Sequence, residues 1–270
     1  MNMLYNPLLW LILSLTAYAA VVNLVWAARS TADRSGLLAA VRHAADQPAW
    51  PLILGSLYFV GLPALAVALR LPGVLPANLG LPTDQGLAGA ASAGGATPIP
   101  GLPAALLIAG GTLVILISIR RWFYISIAQP APISWHTLDR STAGQLVLKA
   151  IWYETHWAFV RACVLSLGNA NPTLSVFLAL AIVATEGWLN PDHRQLFGQL
   201  QPALQASQTA AVALQSAMVF LITRNSVYCL AAHLATAIAL ASVQFRPTAE
   251  PIEPYSSGLP DLQGIEPTIF

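Results

Sequence analysis

The sequence predicts an all-α protein, a polytopic transmembrane helical bundle of about seven spans, bounded at about six to eight. Two observations carry that prediction. Of 270 residues, 56% are hydrophobic and only 9% charged, where a soluble domain carries roughly a quarter charged residues. The apolar residues also fall in long runs, and a bilayer crossing needs about 20 of them. The mean hydropathy is +0.64. A lipid bilayer is therefore the first expected partner. A formal net charge of +1 gives nucleic-acid binding no electrostatic support. The two cysteines, Cys163 and Cys229, fall in predicted spans without metal-ligand spacing, and no disulfide framework is expected. The first apolar run lacks a basic leader and a cleavage site, so no cleavable signal is expected.

Residues 7–28 read as the first span, with Trp10 and Trp26 near its ends, where aromatic rings favour the interface. Residues 29–47 mix Arg29, Arg34 and Arg42 with Asp33 and Asp46, and suggest a short amphipathic surface helix ended by Pro48. Residues 50–71 form the second span, with Gly61 and Pro63 as a kink. Residues 71–100 are rich in Gly, Ala and Pro with one charge, Asp84, and read as an irregular insertion or a lid. The third span, 101–119, stops at Arg120-Arg121, and residues 129–134 break helix.

Asp139, Ser141 or Thr142 can cap the fourth helix, 141–168, which Gly168-Asn169 ends. Pro172 opens the fifth span, to Leu189, and a polar connector of 192–208 holds His193 and Arg194. The sixth span, 209–223, is short enough that part of the connector can belong to it; the seventh is 225–245. Residues 1–245 thus form a single transmembrane domain, and 246–270 an extended, proline-bearing tail. Basic residues after spans one, three and five fall on one side, giving an N-terminus out and a C-terminus in. A bacterial inner membrane is the expected setting.

The candidate site lies on the fourth helix, in Tyr153-Glu154-Thr155-His156-Trp157-Ala158-Phe159-Val160-Arg161. Ionisable groups inside a span are expensive and mark a functional site by default. Glu154, Trp157 and Arg161 share one helix face, with Glu154 and Arg161 two turns apart, so they can share a partner without pairing well directly. His156 points away from that face, so one helix offers ionisable groups to two neighbours. Glu186 in span five and His233 in span seven add two more candidates. The plainer readings are a packed, hydrogen-bonded His233 and a Glu186 carboxylate in water at the inner interface.

The fourth helix resembles the Glu-Glu-x-x-x-Arg helix of the CPBP family, the CAAX-prenyl-protease and bacteriocin-processing intramembrane proteases. The stretch Thr223-Arg224-Asn225-Ser226 leading to His233 is similar to that family's later motif. The resemblance covers roughly residues 141–245 and implies a CAAX-protease-like bundle. In the family, a first Glu activates water, a His of the next helix assists, and a late His with an Asn holds the oxyanion. Matching Arg161 to the family's Arg puts His156 and Trp157 at the two Glu positions, and Glu186 stands in the helix that normally supplies the assisting His. The late Asn is replaced by Thr236 or Ala237. The acid and the imidazole are exchanged between the two helices.

Several functions follow. As a CPBP-type intramembrane peptidase, Glu186 or Glu154 acts with His156 on a water and His233 polarises the scissile carbonyl, on a membrane peptide or a prenylated substrate. Loss of the Glu pair points instead to weakened or absent catalysis, in an accessory or scaffold subunit packed against other membrane subunits. A third reading has His156, His233 and Glu186 holding a metal, haem or pigment. No spacing motif supports it, and the sequence requires no cofactor. A solute transporter lacks the internal repeats expected of one.

Overall fold

Asp139 starts the helix that the rest of the bundle surrounds. Its extended backbone and its carboxylate, accepting from the amides of Ser141 (3.2 Å) and Thr142 (3.3 Å), satisfy donors that the first turn otherwise leaves unpaired. The computed structural model describes residues 6–30, 36–47, 49–71, 74, 79–81, 101–127, 133–135, 139–167, 171–196 and 200–245. Its elements in order are α1 (Pro7–Ser30), α2 (Gly36–Ala45), α3 (Ala49–Ala68), α4 (Leu102–Ile127), β1 (Ile133–Trp135), α5 (Arg140–Ser166), α6 (Pro172–Leu189), α7 (Pro191–Leu196), α8 (Leu200–Thr223), α9 (Ser226–Ser242) and β2 (Val243–Phe245).

Among the described residues, five helices are long and apolar enough to cross a membrane: Pro7–Ser30, Ala49–Ala68, Leu102–Trp122, Pro172–Leu189 and Gln205–Thr223. By length and composition the chain is an integral membrane protein. Helix α9 is apolar but shorter, and α5 spans 27 residues while carrying the ionisable groups. Helix α5 packs against α1, α3, α6 and α9. From His156 to Val164 every α5 residue is buried. A helix buried all round needs no polar face of its own. Its Phe159, Ala162 and Cys163 join Trp10 and Leu11 of α1 and Ala179 of α6 in one core cluster. Many large apolar side chains point outward instead, Leu107, Ile115 and Leu174 among them, as lipid contact requires.

Several details depart from the sequence expectations. Helix α4 continues through Arg120 and Arg121 to Ile127, because Arg120 Nη1 finds an acceptor in the Leu240 carbonyl of α9, 2.8 Å away. The predicted connector begins as the short helix α7, while its later part belongs to α8, as the shortness of the sixth span allowed. The seventh helix stops at Ser242; Val243–Phe245 pairs antiparallel with Ile133–Trp135, a small ribbon beside what are otherwise helices among the described residues. The expected kink in α3 is a widened turn over Leu57–Gly61, where Leu62 N–H bonds the Leu57 carbonyl. Pro63, without an N–H, cannot donate to the carbonyl four residues back. Arg34, Asp84, most of the predicted lid and the 246–270 tail lie outside the described residues.

Contacts also join segments distant in sequence. Arg29, at the end of α1, lies 3.9 Å from Asp46 and 4.0 Å from Asp192 in α7. Elsewhere, Ser226 N–H donates to the Gly80 carbonyl at 2.9 Å. Gly80 has φ +70°, and a Cβ there would stand 2.7 Å from the Phe220 ring.

Candidate functional site

Two residues along a helix rotate a side chain by about 200°. Glu154 and His156 therefore leave α5 on different sides, and each meets a partner from another helix. Glu154 Oε1 lies 3.1 Å from His233 Nδ1 of α9, and Glu154 Oε2 accepts from Ser216 Oγ of α8 at 2.8 Å. The same Ser216 oxygen accepts from Arg161 Nη1 at 3.2 Å, while Arg161 Nη2 stands 3.8 Å from Glu154 Oε2. The two-turn gap between Glu154 and Arg161 is thus closed by a hydroxyl. Arg161 also lies over the Phe220 ring, 4.6 Å from its centroid, and His233 stacks on Trp157 at 5.5 Å. All four polar side chains are buried.

On the other side, His156 Nε2 is 2.8 Å from Glu186 Oε2 of α6. Tyr58 of α3 donates its hydroxyl proton to Glu186 Oε1. That proton being committed, Ser14 of α1 donates to the Tyr58 oxygen, 3.0 Å away. As a neutral imidazole, His156 donates from Nε2 and keeps Nδ1 as a bare acceptor, and Nδ1 is buried without a hydrogen-bond partner. The Tyr58 and Phe59 rings flank it at 5.0 and 5.3 Å.

The five candidate residues therefore divide into two groups. Glu154, Arg161 and His233 meet around Ser216, whereas His156 and Glu186 meet Tyr58. A single site uniting His156, Glu186 and His233 is not what forms, because Glu154, not Glu186, takes the His233 nitrogen. Nor does Glu154 reach His156 as a base. Glu186 is buried and doubly bonded, in place of the interfacial carboxylate that was one sequence reading. Among the described residues, no three His, Cys, Asp or Glu side chains gather as metal ligands, so the facial set of His156, His233 and Glu186 is not assembled. No protein family, curated protein or solved structure matches this chain.

Sequence reasoning missed Ser14, Tyr58 and Ser216. Each is a hydroxyl within a predicted span, and that placement was the available signal: a buried hydroxyl in lipid needs a partner. Gln215 was missed too; its side-chain oxygen accepts from Thr236 at 3.0 Å, which occupies Thr236 away from any oxyanion role.

Access differs between the groups. Beside Trp157 and Arg161 there is a void of only about 10 Å³, walled by Val176, Ala179 and Ala217, room for roughly one water. Tyr58, by contrast, borders a cleft of about 250 Å³ between α1 and α3.

Proposed function

We propose that the chain is a CPBP-like multi-pass membrane protein that does not hydrolyse peptides, and that its paired carboxylates and imidazoles fasten the bundle of an accessory or scaffold subunit. One observation carries this reading: both oxygens of Glu154 are taken, by His233 and by Ser216 with Arg161 beyond it, in a space that admits no peptide. A general base must reach the proton it abstracts, directly or through one water. Glu154 has no such reach to a substrate backbone. The outward apolar faces of α4 and α6 suit lateral packing against lipid or other membrane subunits. The setting is a bacterial inner membrane, with the N-terminus out and the C-terminus in.

A peptidase is the second reading, favoured by His156: Glu186 orients it, its Nδ1 is bare, and the Tyr58 beside it borders the larger cleft. In that case His156 is the base and Glu186 its positioning carboxylate, with acid and imidazole exchanged relative to the family. Proteoliposomes carrying wild-type protein, Glu154→Gln or Glu186→Gln are incubated with a library of membrane-embedded peptides and analysed by mass spectrometry. No product from any of the three is the expected result. Products from wild type that vanish in either folded variant overturn the scaffold reading, and loss confined to Glu186→Gln selects the His156 peptidase.

A further inference from the structure

The cleft between α1 and α3 has a division of chemistry that identifies its ligand. Its walls are Val21, Val22 and Val25 on α1 and Leu54, Leu57 and Leu62 on α3. Its polar groups are Tyr18, Tyr58, Asn190 and Asp192. From Tyr18 to Val25 the α1 wall runs about 10 Å by helix rise, and the 250 Å³ volume approaches the scale of small-ligand pockets. An apolar body fits the walls.

The head is decided by charge. Among the described residues, Asp192 is the one charged residue of the lining, and no Lys, Arg or His contributes to it. The nearby Arg29 stands 4.0 Å from Asp192 and 3.9 Å from Asp46, a long, shared contact rather than a closed pair. The Asp192 side chain keeps 39% of its surface exposed. Tyr18, Tyr58 and Phe59 form an aromatic corner, with centroid separations of 5.3 Å and 5.0 Å along the row. Ring faces attract cations. Filling the cleft with a neutral or anionic molecule strips water from a carboxylate without replacing it.

We propose that this cleft binds an amphiphilic organic cation, with its apolar body between α1 and α3 and its positive charge against Tyr18, Tyr58 and Asp192. The inference goes beyond the scaffold reading and holds whether or not the protein cleaves peptides. The geometry gives Asp192 the charge selection and the valine–leucine walls the affinity.

The test uses the full chain in phosphatidylcholine nanodiscs, with tetraphenylphosphonium and its anionic counterpart of matched shape, tetraphenylborate, each measured against empty nanodiscs. Saturable binding of the phosphonium and none of the borate is the expected result. Asp192→Asn weakens phosphonium binding about fivefold, the scale of a partly exposed charge contact. Val21→Trp, at a half-exposed wall position, abolishes binding while the unfolding midpoint stays unchanged; Ala17→Phe, at another α1 position lining the cleft, serves where that variant is not recovered folded. Equal binding of both ions, no saturable phosphonium binding, or binding indifferent to Asp192→Asn or to the filled wall each overturns the proposal.

Discussion

Glu154 and His156 stand two residues apart on α5 and are bonded into opposite sides of the bundle, Glu154 to His233 of α9 at 3.1 Å and His156 to Glu186 of α6 at 2.8 Å. The separation follows from helical rotation alone. Each bond joins α5 to a different helix, and each is buried. In a bilayer, apolar contact alone selects weakly between helix pairings, since lipid tails are as apolar as the side chains they would replace. Two carboxylate–imidazole bonds on opposite faces of one helix specify which neighbour lies on which side.

Ser216 joins Glu154 to Arg161, so its removal leaves a buried guanidinium and a buried carboxylate each one bond short. Ser216→Ala is expected to destabilise the protein by about 1–3 kcal/mol, read as equilibrium unfolding in mixed micelles. A change within about 0.5 kcal/mol, the range of ordinary surface substitutions, would show that the bridge is not holding the pair.

The other group has a graded prediction. Tyr58→Phe removes one donor to Glu186, while the carboxylate keeps His156; the expected loss is about 1 kcal/mol. Glu186→Ala strands both His156 nitrogens in the core and should cost about 3 kcal/mol or more. Equal losses in the two variants would mean that Tyr58, not His156, is the partner that matters to Glu186.

The helical body and the two-sided use of α5 were legible because both rest on periodicity: apolar runs long enough to span, and a rotation of about 100° per residue. The shared partner of Glu154 and Arg161 was legible as a need, not as Ser216, since a serine in an apolar run carries no address. Pairing of Glu186 with His156 rather than His233 depends on how α6 and α9 pack around α5, and no local pattern states that. The overrun of α4 past Arg120 has the same origin: a charge pair in sequence reads as a helix end until a carbonyl from α9 accepts it.

Glycines sort by what surrounds them. Gly80 combines φ +70° with a Cβ position 2.7 Å from Phe220 and 2.9 Å from the Ser226 hydroxyl, so Gly80→Ala is expected to destabilise by about 1–3 kcal/mol. Gly110 and Gly111 of α4 have nothing within 4 Å of the same position, and alanine there should stabilise by up to about 1 kcal/mol through helix propensity. Unfolding of the three single variants checks both signs. A harmless Gly80→Ala would remove the claim that this turn is locked against α8 and α9.

Asp139 supplies a pH dependence outside the membrane. Acceptance from the Ser141 side chain first, then from Thr142, holds its carboxyl at about 2, below the ordinary 3.8. A lowered carboxyl contributes stability that is present above its unfolded value and lost as the pH falls through its folded one. The cap at the start of α5 should therefore hold above about pH 3.8 and open as the pH falls toward 2. Amide exchange at Ser141 and Thr142 should quicken over that interval beyond the solvent's own pH trend. Asp139→Asn, which caps without titrating, should remove the excess; an excess that persists assigns the transition to another group.

Topology gives the last prediction. Arg29 near Asp192 puts the end of α1 and the start of α7 at one end of the bundle, and β1 with β2 joins the segment after α4 to the segment after α9. Ser226 bonding Gly80 joins the segment beyond α3 to the α8–α9 turn. These three pairings agree with an alternating path in which α5 and α9 cross as well as the five longer apolar helices, giving seven crossings. In a background lacking Cys163 and Cys229, single cysteines at Asp46 and Arg194 should label from the C-terminal, inner side. Cysteines at Thr173 and Arg224 should label from the outer side. All four positions are partly or fully accessible, apart from any membrane contact. If Thr173 and Arg194 label from the same side, α6 does not cross, and the seven-crossing path fails; if Asp46 labels only from outside while Thr173 labels from inside, the crossings stand and the orientation is reversed.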